Sequence, residues 1–343
     1  MKAAVFAQHG GPEVLEYKEV AEPAIGTGDV LVRVRACSLN HLDLWVRGGL
    51  PNVAIPLPHI PGSDVAGEVA KIGAEVGTVR VGQKVVLAPG VTCGKCPACL
   101  AGLDNRCRQF TNLGYMIDGG CAEFVRAPEV NCLPHPENLS FEEASSVPLV
   151  FQTAWHMLVT RAELQPGEEV LILGAGSGVG SAAIQIAKFF GARVIATAGT
   201  DEKLEKARRL GADHTINHKT QKIHEEVRRI TGKRGVDVVF EHVGTATWDD
   251  SVASLATAGR LVTCGATTGY DAKIDLRFLF SRQLSLLGSY MGRKSELLMV
   301  MKLIAAGKLK PVIDRVFPLA ETSAAHAYVE SGQQFGKVVL QVA

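Results

Sequence analysis

The sequence predicts an α/β protein in which a doubly wound parallel sheet accompanies a second, β-rich domain. Three observations support this class. Short apolar runs and helical patterns alternate from Val170 to about Tyr290, as a parallel sheet with covering helices requires. Residues 1 to about 90 instead alternate short strands with closely spaced glycines and prolines, which favours a compact β unit. A glycine-rich turn at 174–180 separates the first apolar run of the α/β part from a helical pattern.

Length and charge exclude several classes of protein. The chain has 343 residues, enough for two ordinary domains with a sizeable core. Its 36 Lys and Arg nearly balance its 35 Asp and Glu, and no basic stripe indicates a nucleic-acid partner. No segment has the apolar length of a membrane helix, and the first apolar run is too short for a signal peptide. We therefore expect a cytoplasmic protein that acts on a small molecule, without nucleic-acid or membrane partners.

The β-rich part and its flanking segments come first along the chain. Its strands are predicted at 2–6, 30–36, 64–72 and 84–88. A loop at 89–120 has little periodicity and holds a cluster of cysteines, and residues 141–161 are predicted to form one helix. The predicted domains are a β-rich domain at 1–150 and 291–343, which includes the lobe at 89–120, and an α/β domain at 151–290.

The α/β domain is defined by its strands, which we predict at 170–173, 193–197, 214–216, 236–241, 259–265 and 284–289. A helix at 202–210 has Asp201 or Thr200 as its cap and Gly211 just beyond its end. A helix at 295–306 and a strand at 337–342 end the chain. This tail is expected to return to the β-rich domain and to leave a cleft between the two domains.

Gly174, Gly176, Gly178 and Gly180 let the chain turn tightly between a strand and a helix. Free N–H groups and the helix dipole at such a turn favour an anion, which indicates a pyrophosphate site. A strict G-x-G-x-x-G pattern would need glycine where Val179 stands, and a turn that only packs helix on strand is the alternative. A second apolar strand about twenty residues on favours a dinucleotide. The binding candidates of this turn are Gly174, Gly176, Ser177, Gly178, Val179 and Gly180.

Four cysteines form the strongest motif of the sequence, Cys93-x2-Cys96-x2-Cys99-x7-Cys107. Four thiolates on one irregular loop can close a tetrahedral shell around zinc, and a full shell leaves no open position for a substrate. Disulfides are the alternative, but a reducing cytoplasm disfavours them and close CxxC spacing is typical of metal sites. We predict one structural zinc per chain. The remaining cysteines are interpreted as small buried side chains: Cys37, Cys121, Cys132 and Cys264.

This combination of domains resembles the medium-chain dehydrogenase/reductase superfamily. The resemblance covers essentially the whole chain and includes the cysteine lobe, Gly174 to Gly180, Gly62-Ser63-Asp64-Val65-Ala66-Gly67, Gly235-Val236-Asp237-Val238-Val239 and Gly336-Lys337-Val338-Val339-Leu340. It implies a Rossmann-type doubly wound sheet beside a β-rich GroES-like catalytic domain. It also implies hydride transfer between a nicotinamide cofactor and an alcohol, a carbonyl or an activated double bond, in a homodimer or homotetramer.

The departures from this family concern its catalytic zinc. In the zinc alcohol dehydrogenases, that zinc is held by an early cysteine, by the His or Glu of a Gly-His-Glu motif, and by a cysteine before the nucleotide domain. The matching positions here are Asn40, Ser63 with Asp64, and Leu149. Only Asp64 is a good zinc ligand, and an open catalytic site needs three protein ligands. We therefore expect the usual catalytic zinc to be absent.

A metal site of unfamiliar geometry is the alternative, built from three of Cys37, His41, His59 and Asp64. If the early strand continues through Asn40, Cys37 points away from that residue, which disfavours such a site. The simpler interpretations are a contact to cofactor phosphate for His41 and a loop position without a role for His59.

The stretch from Asn40 to Asp43 resembles the Asn-x-x-Asp of zinc-free quinone oxidoreductases. Hydride addition to an enone, quinone or aldehyde builds negative charge on oxygen, and without zinc this charge must be met by hydrogen-bond donors. Our hypothesis is that the Asn40 amide is one donor, and that Asp43 orients Asn40 or a proton-carrying water. Trp45 and Leu50 would line the substrate pocket. Enoyl-thioester reductases of this superfamily have a tyrosine proton donor where Leu50 stands, which disfavours enoyl thioesters as substrates. A turn or cap is the alternative role for Asn40 and Asp43, and Asp64 completes the catalytic candidates.

Cofactor choice depends on the end of the second α/β strand, where NAD-specific sheets usually carry an acid for the ribose 2′-hydroxyl. No acid precedes Asp201, whereas Lys203 resembles the lysine that meets a 2′-phosphate in quinone reductases, with His218 assisting. A solvated helix lysine is the alternative for Lys203. We predict NADP(H), modestly preferred over NAD(H). Further cofactor contacts are expected from His41, Thr197, Thr200, Val243, Gly244, Cys264, Gly265, Ala266, Ser289, Tyr290 and Lys337.

Three functions remain open from the sequence. The first is a reductase of small carbonyls, enones or quinones that uses NAD(P)H without a catalytic zinc. The second is an alcohol dehydrogenase, zinc-dependent through unusual ligands or zinc-free. The third is a nucleotide-binding protein without turnover. One zinc per chain would support the first function, and two would support a catalytic zinc.

Overall fold

The chain divides between two units in the computed structural model, which describes residues 1–343. The bipartite unit comprises Met1–Leu149 and Arg293–Ala343, and the inserted unit comprises Val150–Gly292. The boundaries predicted from the sequence lie within two residues of these. Helices α5 and α10, bounded below, have 12 residues each, and no helix is both long and apolar enough to cross a membrane.

The first segment of the bipartite unit is mostly strand. Its strands are β1 (Lys2–Val5), β2 (Glu16–Glu19), β3 (Asp29–Ser38), β4 (Asp64–Ile72), β5 (Lys84–Leu87), β6 (Gly90–Val91), β7 (Thr111–Asn112), β8 (Phe124–Pro128) and β9 (Cys132–Pro134). Its α-helices are α1 (His41–Gly48), α2 (Pro97–Leu100) and α3 (Phe141–Ser145). Single 3-10 turns lie at Pro12–Val14, Asp104–Arg106 and Glu129–Asn131.

The inserted unit alternates strands with helices. Helix α4 (Pro148–Trp155) crosses the boundary between the units and continues as a π-helix at His156–Arg161. The strands are β10 (Glu169–Ile172), β11 (Arg193–Ala198), β12 (His214–Asn217), β13 (Val236–Glu241), β14 (Leu255–Thr263) and β15 (Ser285–Gly288). The helices are α5 (Gly178–Phe189), α6 (Asp201–Arg209), α7 (Ile223–Ile230), α8 (Trp248–Ser254) and α9 (Leu276–Ser281).

The returning segment completes the bipartite unit. It contains α10 (Lys294–Ala305), β16 (Ile313–Pro318), a 3-10 turn at Leu319–Glu321, α11 (Thr322–Glu330) and β17 (Lys337–Gln341).

A seven-stranded sheet forms the body of the bipartite unit, in the order β16-β17-β3-β4-β5-β9 with β8 also paired to β3. Only the β16–β17 pair is parallel. Valines of β3 and β4, such as Val34 and Val65, are fully buried in its core. The register sets Ser38 opposite Asp64 on one side and Val339 on the other. The end of β3 and the starts of β4 and β17 therefore meet at one place.

A six-stranded parallel sheet forms the inserted unit, in the order β12-β11-β10-β13-β14-β15. All residues of β10 are buried, as expected for a central strand covered by helices on both faces. The strand order reverses between β10 and β13, and ligands of such sheets bind beyond the carboxyl ends of the strands at that point. The predicted doubly wound α/β fold is confirmed.

Two local predictions differ from the structure. Residues 141–161 do not form one helix, because α3 ends at Ser145 and α4 begins at Pro148. Proline has no N–H to donate and disfavours helical backbone in the residue before it, which explains the break. The early strand also stops sooner than its continuation through Asn40 would require. It ends at Ser38, and Asn40 takes extended dihedral angles (φ −127°, ψ 162°) as the N-cap of α1.

Candidate zinc centre and active site

The four predicted zinc ligands lie together in the lobe between β6 and β7. The Sγ atoms of Cys93 and Cys107 are 3.6 Å apart, those of Cys96 and Cys99 are 3.5 Å apart, and all four lie within 4.8 Å of one another. A tetrahedral zinc with Zn–S bonds of about 2.3 Å would separate its sulfur ligands by about 3.8 Å. The thiols therefore fit zinc without rearrangement.

The local structure explains how a short loop gathers four thiols. Gly94 has φ +70°, a conformation that favours glycine and turns the chain between the first two cysteines. Pro97 opens the single turn of α2, which carries Cys99, and the backbone N–H of Gln109 donates to the sulfur of Cys107 at 3.4 Å. A backbone N–H that donates to a sulfur ligand holds that sulfur in position for a metal. Zinc bound here would have a full shell, so its role would be structural.

The glycine-rich turn joins β10 to α5 as predicted from the sequence. Ser177 is the N-cap of α5; its hydroxyl accepts from the backbone N–H of Gly180 at 2.9 Å and donates to the carbonyl of Gly174 at 2.8 Å. A Cβ at Gly180 would lie 2.4 Å from that same carbonyl oxygen, so only glycine lets helix and strand approach here. Gly174 has φ +57°. Gly176, Gly178 and Val179 complete a turn that exposes the start of a 12-residue helix to an anion.

His242 was missed by the sequence analysis, and it lies against this turn. Its Nε2 is 2.9 Å from the carbonyl of Leu173 and 3.4 Å from the Ser177 hydroxyl. Burial lowers the pKa of this imidazole, although the nearby Glu241 carboxylate acts in the opposite sense. The signal available in the sequence was its position directly after β13, the strand across the switch point from β10.

The end of β11 gathers basic groups. The Thr197 hydroxyl accepts from the Gly174 N–H at 3.1 Å, and Thr200 caps α6 by accepting from the N–H of Lys203. A Cβ at Gly199 would lie 3.0 Å from both the His218 ring and the Lys219 side chain. Partial desolvation lowers the pKa of His218, and the charges of Lys219 and Lys203 lower it further.

Asp201, the first acidic residue after β11, accepts from the amide of Asn217 at 3.0 Å through Oδ1. Sequence analysis found Lys203 and His218 but missed Lys219, which directly follows His218.

The residues predicted to contact the nicotinamide lie at the carboxyl ends of three neighbouring strands of the inserted sheet. The backbone N–H groups of Val243 and Gly244 donate to one oxygen of the buried Glu241 at 2.5 and 3.0 Å. The other oxygen accepts from Thr247 and Ser251. Glu241 therefore fixes the turn that follows β13. The other residues predicted to contact the nicotinamide follow β14 and β15: Cys264, Gly265, Ala266, Ser289 and Tyr290.

Two of these residues have distinctive side chains. The Ser289 hydroxyl oxygen is buried without a hydrogen-bond partner, which leaves it available to a ligand. Burial raises the pKa of the Cys264 thiol to about 12, so this cysteine is neutral and not a nucleophile.

The polar cluster of the bipartite unit lies where β3, β4 and β17 meet. We call Asn40, Asp64 and Lys337 the buried triad; their exposed fractions are 6%, 0% and 3%. The Lys337 ammonium donates to Asn40 Oδ1 at 2.5 Å and to Asp64 Oδ2 at 3.1 Å. The Asn40 amide donates to the same Asp64 oxygen at 2.9 Å, and Asp64 Oδ1 accepts from the N–H of Leu149 at 2.9 Å.

Two predicted site residues have polar partners that the sequence did not predict. The Asn40 amide was expected to serve a substrate oxygen, but Asp64 accepts one of its hydrogens, and the carbonyl of Ser38 lies 3.5 Å from its nitrogen. Lys337 was assigned to the cofactor, yet its polar contacts in the bipartite unit are with Asn40 and Asp64. The sequence could not show this arrangement, because Asn40 and Lys337 are 297 residues apart.

Asp43 holds the backbone of the cluster. It is fully buried, and its two oxygens accept from the N–H groups of Asn40 at 2.7 Å and Gly62 at 2.9 Å. Burial raises its pKa to about 6, against the opposing effect of these two hydrogen bonds and of Lys337. Asp43 thus holds the main chain at Asn40 and at Gly62.

The alternative metal site suggested by the sequence is not assembled. Cys37 lies against Cys121, with 3.9 Å between the sulfur atoms, and the His59 ring packs against Phe6. His41 is exposed at the start of α1, where its ring contacts Trp45. Among groups of three or more His, Cys, Asp or Glu side chains, only the four-cysteine cluster brings its ligand atoms within metal-binding distance.

Comparisons with known protein families give a match to residues of each of the two units. Family models match residues 26–137 (alcohol dehydrogenase GroES-like domain) and 178–306 (zinc-binding dehydrogenase). An NAD-dependent alcohol dehydrogenase of Sulfolobus acidocaldarius is 35% identical over 353 residues. The match covers 100% of this chain and 100% of that relative. Human quinone oxidoreductase is 28% identical over 348 residues, covering 99% of this chain and 97% of its own length. A crystal structure of an NAD-dependent alcohol dehydrogenase has 47% identity, a TM-score of 0.97 and coverage of 100% for both chains.

The doubly wound sheet with its glycine-rich turn, together with a β-rich unit and these relatives, thus defines a nicotinamide-dependent dehydrogenase. The chain belongs to the medium-chain dehydrogenase/reductase superfamily, and it is an NAD(P)-dependent oxidoreductase. The resemblance drawn from the sequence is therefore confirmed at the level of family, fold class and enzyme type.

Proposed function

We propose that this oxidoreductase reduces small carbonyl, enone or quinone substrates with NAD(P)H and uses no catalytic zinc. One observation carries the proposal: the single acidic side chain at a zinc-ligand position, Asp64, is already paired with the buried ammonium of Lys337 at 3.1 Å. A cation that belongs to the chain itself thus neutralises the carboxylate that a metal would need.

The donor set at this place does not fit a zinc ion. Catalytic zinc needs three protein ligands from among thiolate, imidazole and carboxylate, and the other matching positions are Asn40, Ser63 and Leu149. The Asn40 oxygen accepts from Lys337, so it is not open to a metal. A dication beside the ammonium would add repulsion in a buried environment where charges interact strongly. No step of the proposed reaction passes through zinc.

The residues of the inserted unit fit a dinucleotide. The turn from Gly174 to Gly180 offers backbone N–H groups and a helix start to the pyrophosphate. The turn after β13, at the carboxyl end of its strand, is held in place by Glu241. NAD(P)H, when bound, supplies the hydride. The protein's part is to bind and orient the cofactor, and to meet the negative charge that develops on the substrate oxygen.

The basic groups at the end of β11 support a preference for NADP(H). His218 and Lys219 lie against Gly199, and the charge of Lys203 acts on His218, whose pKa it helps to lower. Asp201 accepts from the amide of Asn217. The name of the S. acidocaldarius relative points instead to NAD(H). The ratio of kcat/KM for the two cofactors decides this point, and a tenfold preference for NADH would reverse our assignment.

A self-complementary dimer is our proposal for the assembly. Strand β15 is the edge of the inserted sheet, and the neighbouring α9 exposes Leu276, Phe278 and Phe280 at 64%, 53% and 71%. An open strand edge beside exposed apolar side chains favours pairing with a second copy of the chain. Light scattering should give twice the chain mass for the wild type and a smaller mass for Phe280→Asp. A monomeric wild type would contradict the dimer.

The experiment that tests the function combines turnover with metal counting. Purified protein is offered NADH and NADPH with a panel of aldehydes, enones and quinones, and zinc per chain is measured by plasma mass spectrometry. We expect cofactor oxidation with one zinc per chain. A second zinc whose removal abolishes turnover would instead support an alcohol dehydrogenase with unusual ligands, the function suggested by the names of several relatives. Cofactor binding without oxidation across the panel would support a nucleotide-binding protein.

A further inference from the structure

A pocket with basic side chains in its walls lies in the bipartite unit, where the loop at 77–83 meets the end of β9. Strands β5 and β9 are hydrogen-bonded neighbours, so the loop before β5 lies next to the residue that follows β9. The pocket has a volume of about 530 Å³, within the roughly 300–1,000 Å³ typical of small-molecule sites. We call it the basic pocket, after the side chains of Arg80, Lys84 and His135 that line it.

These basic side chains have no carboxylate to balance them inside the pocket, because none of its lining residues is acidic. The one donor of Arg80 that makes a hydrogen bond is its backbone N–H, to Gln83 Oε1 at 3.2 Å, so the guanidinium keeps all of its donors. Glu129 is held by the loop instead: it accepts from the N–H of Gly77 and from the hydroxyl of Thr78, both at 2.7 Å. The charge of the pocket is therefore available to an anion.

An aromatic ring holds two of the basic groups in place. The Lys84 ammonium lies over the ring of Phe141, 5.4 Å from its centroid, and the centroid of the His135 ring is 4.9 Å from that of the same phenyl ring, edge to face. The backbone N–H of His135 also donates to the carbonyl of Lys84 at 3.3 Å. Because side chains that are already ordered lose less entropy when a ligand binds, this arrangement favours binding.

The imidazole of His135 has an unused nitrogen. Its Nε2 atom is buried without a hydrogen-bond partner, and buried polar atoms are nearly always paired with protein, water or a ligand. Burial lowers the pKa of this ring and the charge of Lys84 lowers it further, while main-chain hydrogen bonds at Ser140 and Pro136 act in the opposite sense. The ring is therefore mostly neutral at neutral pH. A bound anion favours the protonated ring, which can donate from Nε2.

We propose that the basic pocket binds a phosphate group, with Arg80, Lys84 and His135 as its contacts. A guanidinium offers paired donors in a fork that matches phosphate oxygens, and an ammonium adds a compact charge. The pocket volume is many times the roughly 30 Å³ of a water molecule, so it has room for the organic part of a phosphorylated molecule as well as for phosphate. None of the three residues is a predicted cofactor contact, and the proposal is independent of the proposed function.

Calorimetric titration of the holoenzyme tests these contacts. The protein is saturated with NADP⁺, which fills the cofactor phosphate sites, and sulfate is the probe because its charge does not change near neutral pH. We expect a dissociation constant of about 1 mM or lower at about pH 6. Arg80→Gln and Lys84→Gln should each weaken binding roughly tenfold, since each removes a charged donor to the anion.

The matched control is Arg33→Gln, because Arg33 also lies over an aromatic ring, 4.8 Å from the centroid of Phe124, but is not part of the pocket. Its affinity for sulfate should stay within about twofold of the wild-type value, since salt screens charges outside the site. A tenfold loss in Arg33→Gln as well, or no sulfate binding by the wild type below about 10 mM, would overturn the proposal.

The pH dependence of binding tests the part of His135. Lys84 is the one charged side chain that acts on the pKa of this ring, so proton uptake on binding reports the imidazole. The heat of sulfate binding in buffers of different ionisation enthalpy measures this uptake on the wild type, without any variant. Affinity should fall by roughly fivefold from about pH 6 to about pH 8, and His135→Gln should lose this dependence. Binding without proton uptake would contradict the site.

A third titration identifies the source of the phosphate group. Inorganic phosphate is compared with phenyl phosphate, which carries an organic group and has no carbonyl or alcohol for the enzyme to act on. Phenyl phosphate that binds more tightly by about threefold or more would indicate a phosphorylated small molecule, and equal binding would indicate free phosphate. Either result supports the site if Lys84→Gln weakens it. Binding of both ligands that Lys84→Gln leaves unchanged would overturn it.

Discussion

The bipartite unit contains two clusters of buried or half-buried polar side chains, and they balance charge in opposite ways. The four-cysteine cluster presents four sulfur ligands with no cation among them, so it needs an ion from outside. The buried triad presents one carboxylate, one amide and one ammonium, so its charge is balanced within the chain. A cysteine cluster that fits zinc therefore does not imply a second metal site at the triad.

The largest expected effect comes from breaking the cysteine cluster. Cys107→Ser removes one of four ligands, and we expect zinc content to fall from one per chain to nearly none. Structural zinc contributes directly to folding free energy, so the thermal midpoint should drop by roughly 10 °C. Cys132→Ser, a buried cysteine outside the cluster, is the matched control and should keep its zinc. An unchanged zinc content in Cys107→Ser would show that the metal is held elsewhere.

The next effect tests whether the ammonium excludes a metal from the triad. Asn40→Cys/Ser63→His supplies two ligands beside Asp64, and Lys337→Met added to this pair removes the competing cation. We expect the triple variant to bind about two zinc ions per chain and the double variant about one, because a catalytic site needs three free ligands. Zinc titration followed by elemental analysis gives the counts. If the double variant bound two ions with Lys337 in place, the ammonium would not be the excluding group.

A smaller effect concerns the pH dependence of stability through Asp43. Its pKa is raised from 3.8 to about 6 in the folded protein, so the folded state holds this proton more tightly than the unfolded chain does. The free energy of unfolding due to Asp43 should therefore be greatest below about pH 4 and fall as the pH rises to about 6, by about 3 kcal/mol at most. Urea unfolding of wild type and Asp43→Asn at both pH values isolates this contribution. A difference that did not change with pH would refute it.

The smallest effect is on cofactor choice, in the inserted unit. Lys219→Ala and Lys203→Ala should each raise KM for NADPH by roughly tenfold, since each removes about one charge from the 2′-phosphate site. The KM for NADH should change by less than about twofold. Equal changes for both cofactors would mean that these lysines act on the fold and not on the phosphate. Lys222→Ala, an exposed lysine farther along the chain, provides the control.

Features encoded within a short stretch were predictable from the sequence. The zinc lobe lies within residues 93–107, and the nucleotide turn within 174–180, so their spacing alone determines which atoms meet. Thr200 as the cap of α6 was also predictable, because a cap depends only on its neighbours along the chain. The parallel strands followed from unbroken apolar runs that are buried on both faces.

Features that depend on strand order were not predictable in the same way. The buried triad joins residues of three strands or their ends, and nothing near Lys337 shows that β17 pairs with β3 next to Asn40. His242 likewise meets the nucleotide turn only because β13 lies beside β10. The break between α3 and α4 was predictable from the sequence, because α4 begins at Pro148 and the residue before a proline disfavours helical backbone.

The most direct test of the proposed function, in which turnover needs no catalytic zinc, is the zinc content of fully active wild-type enzyme. The protein is dialysed against a chelator mild enough to leave the cysteine site loaded, and then assayed while zinc is added back. We expect maximal turnover at one zinc per chain, with no gain from further metal. Turnover that rises in proportion to a second bound zinc would contradict it.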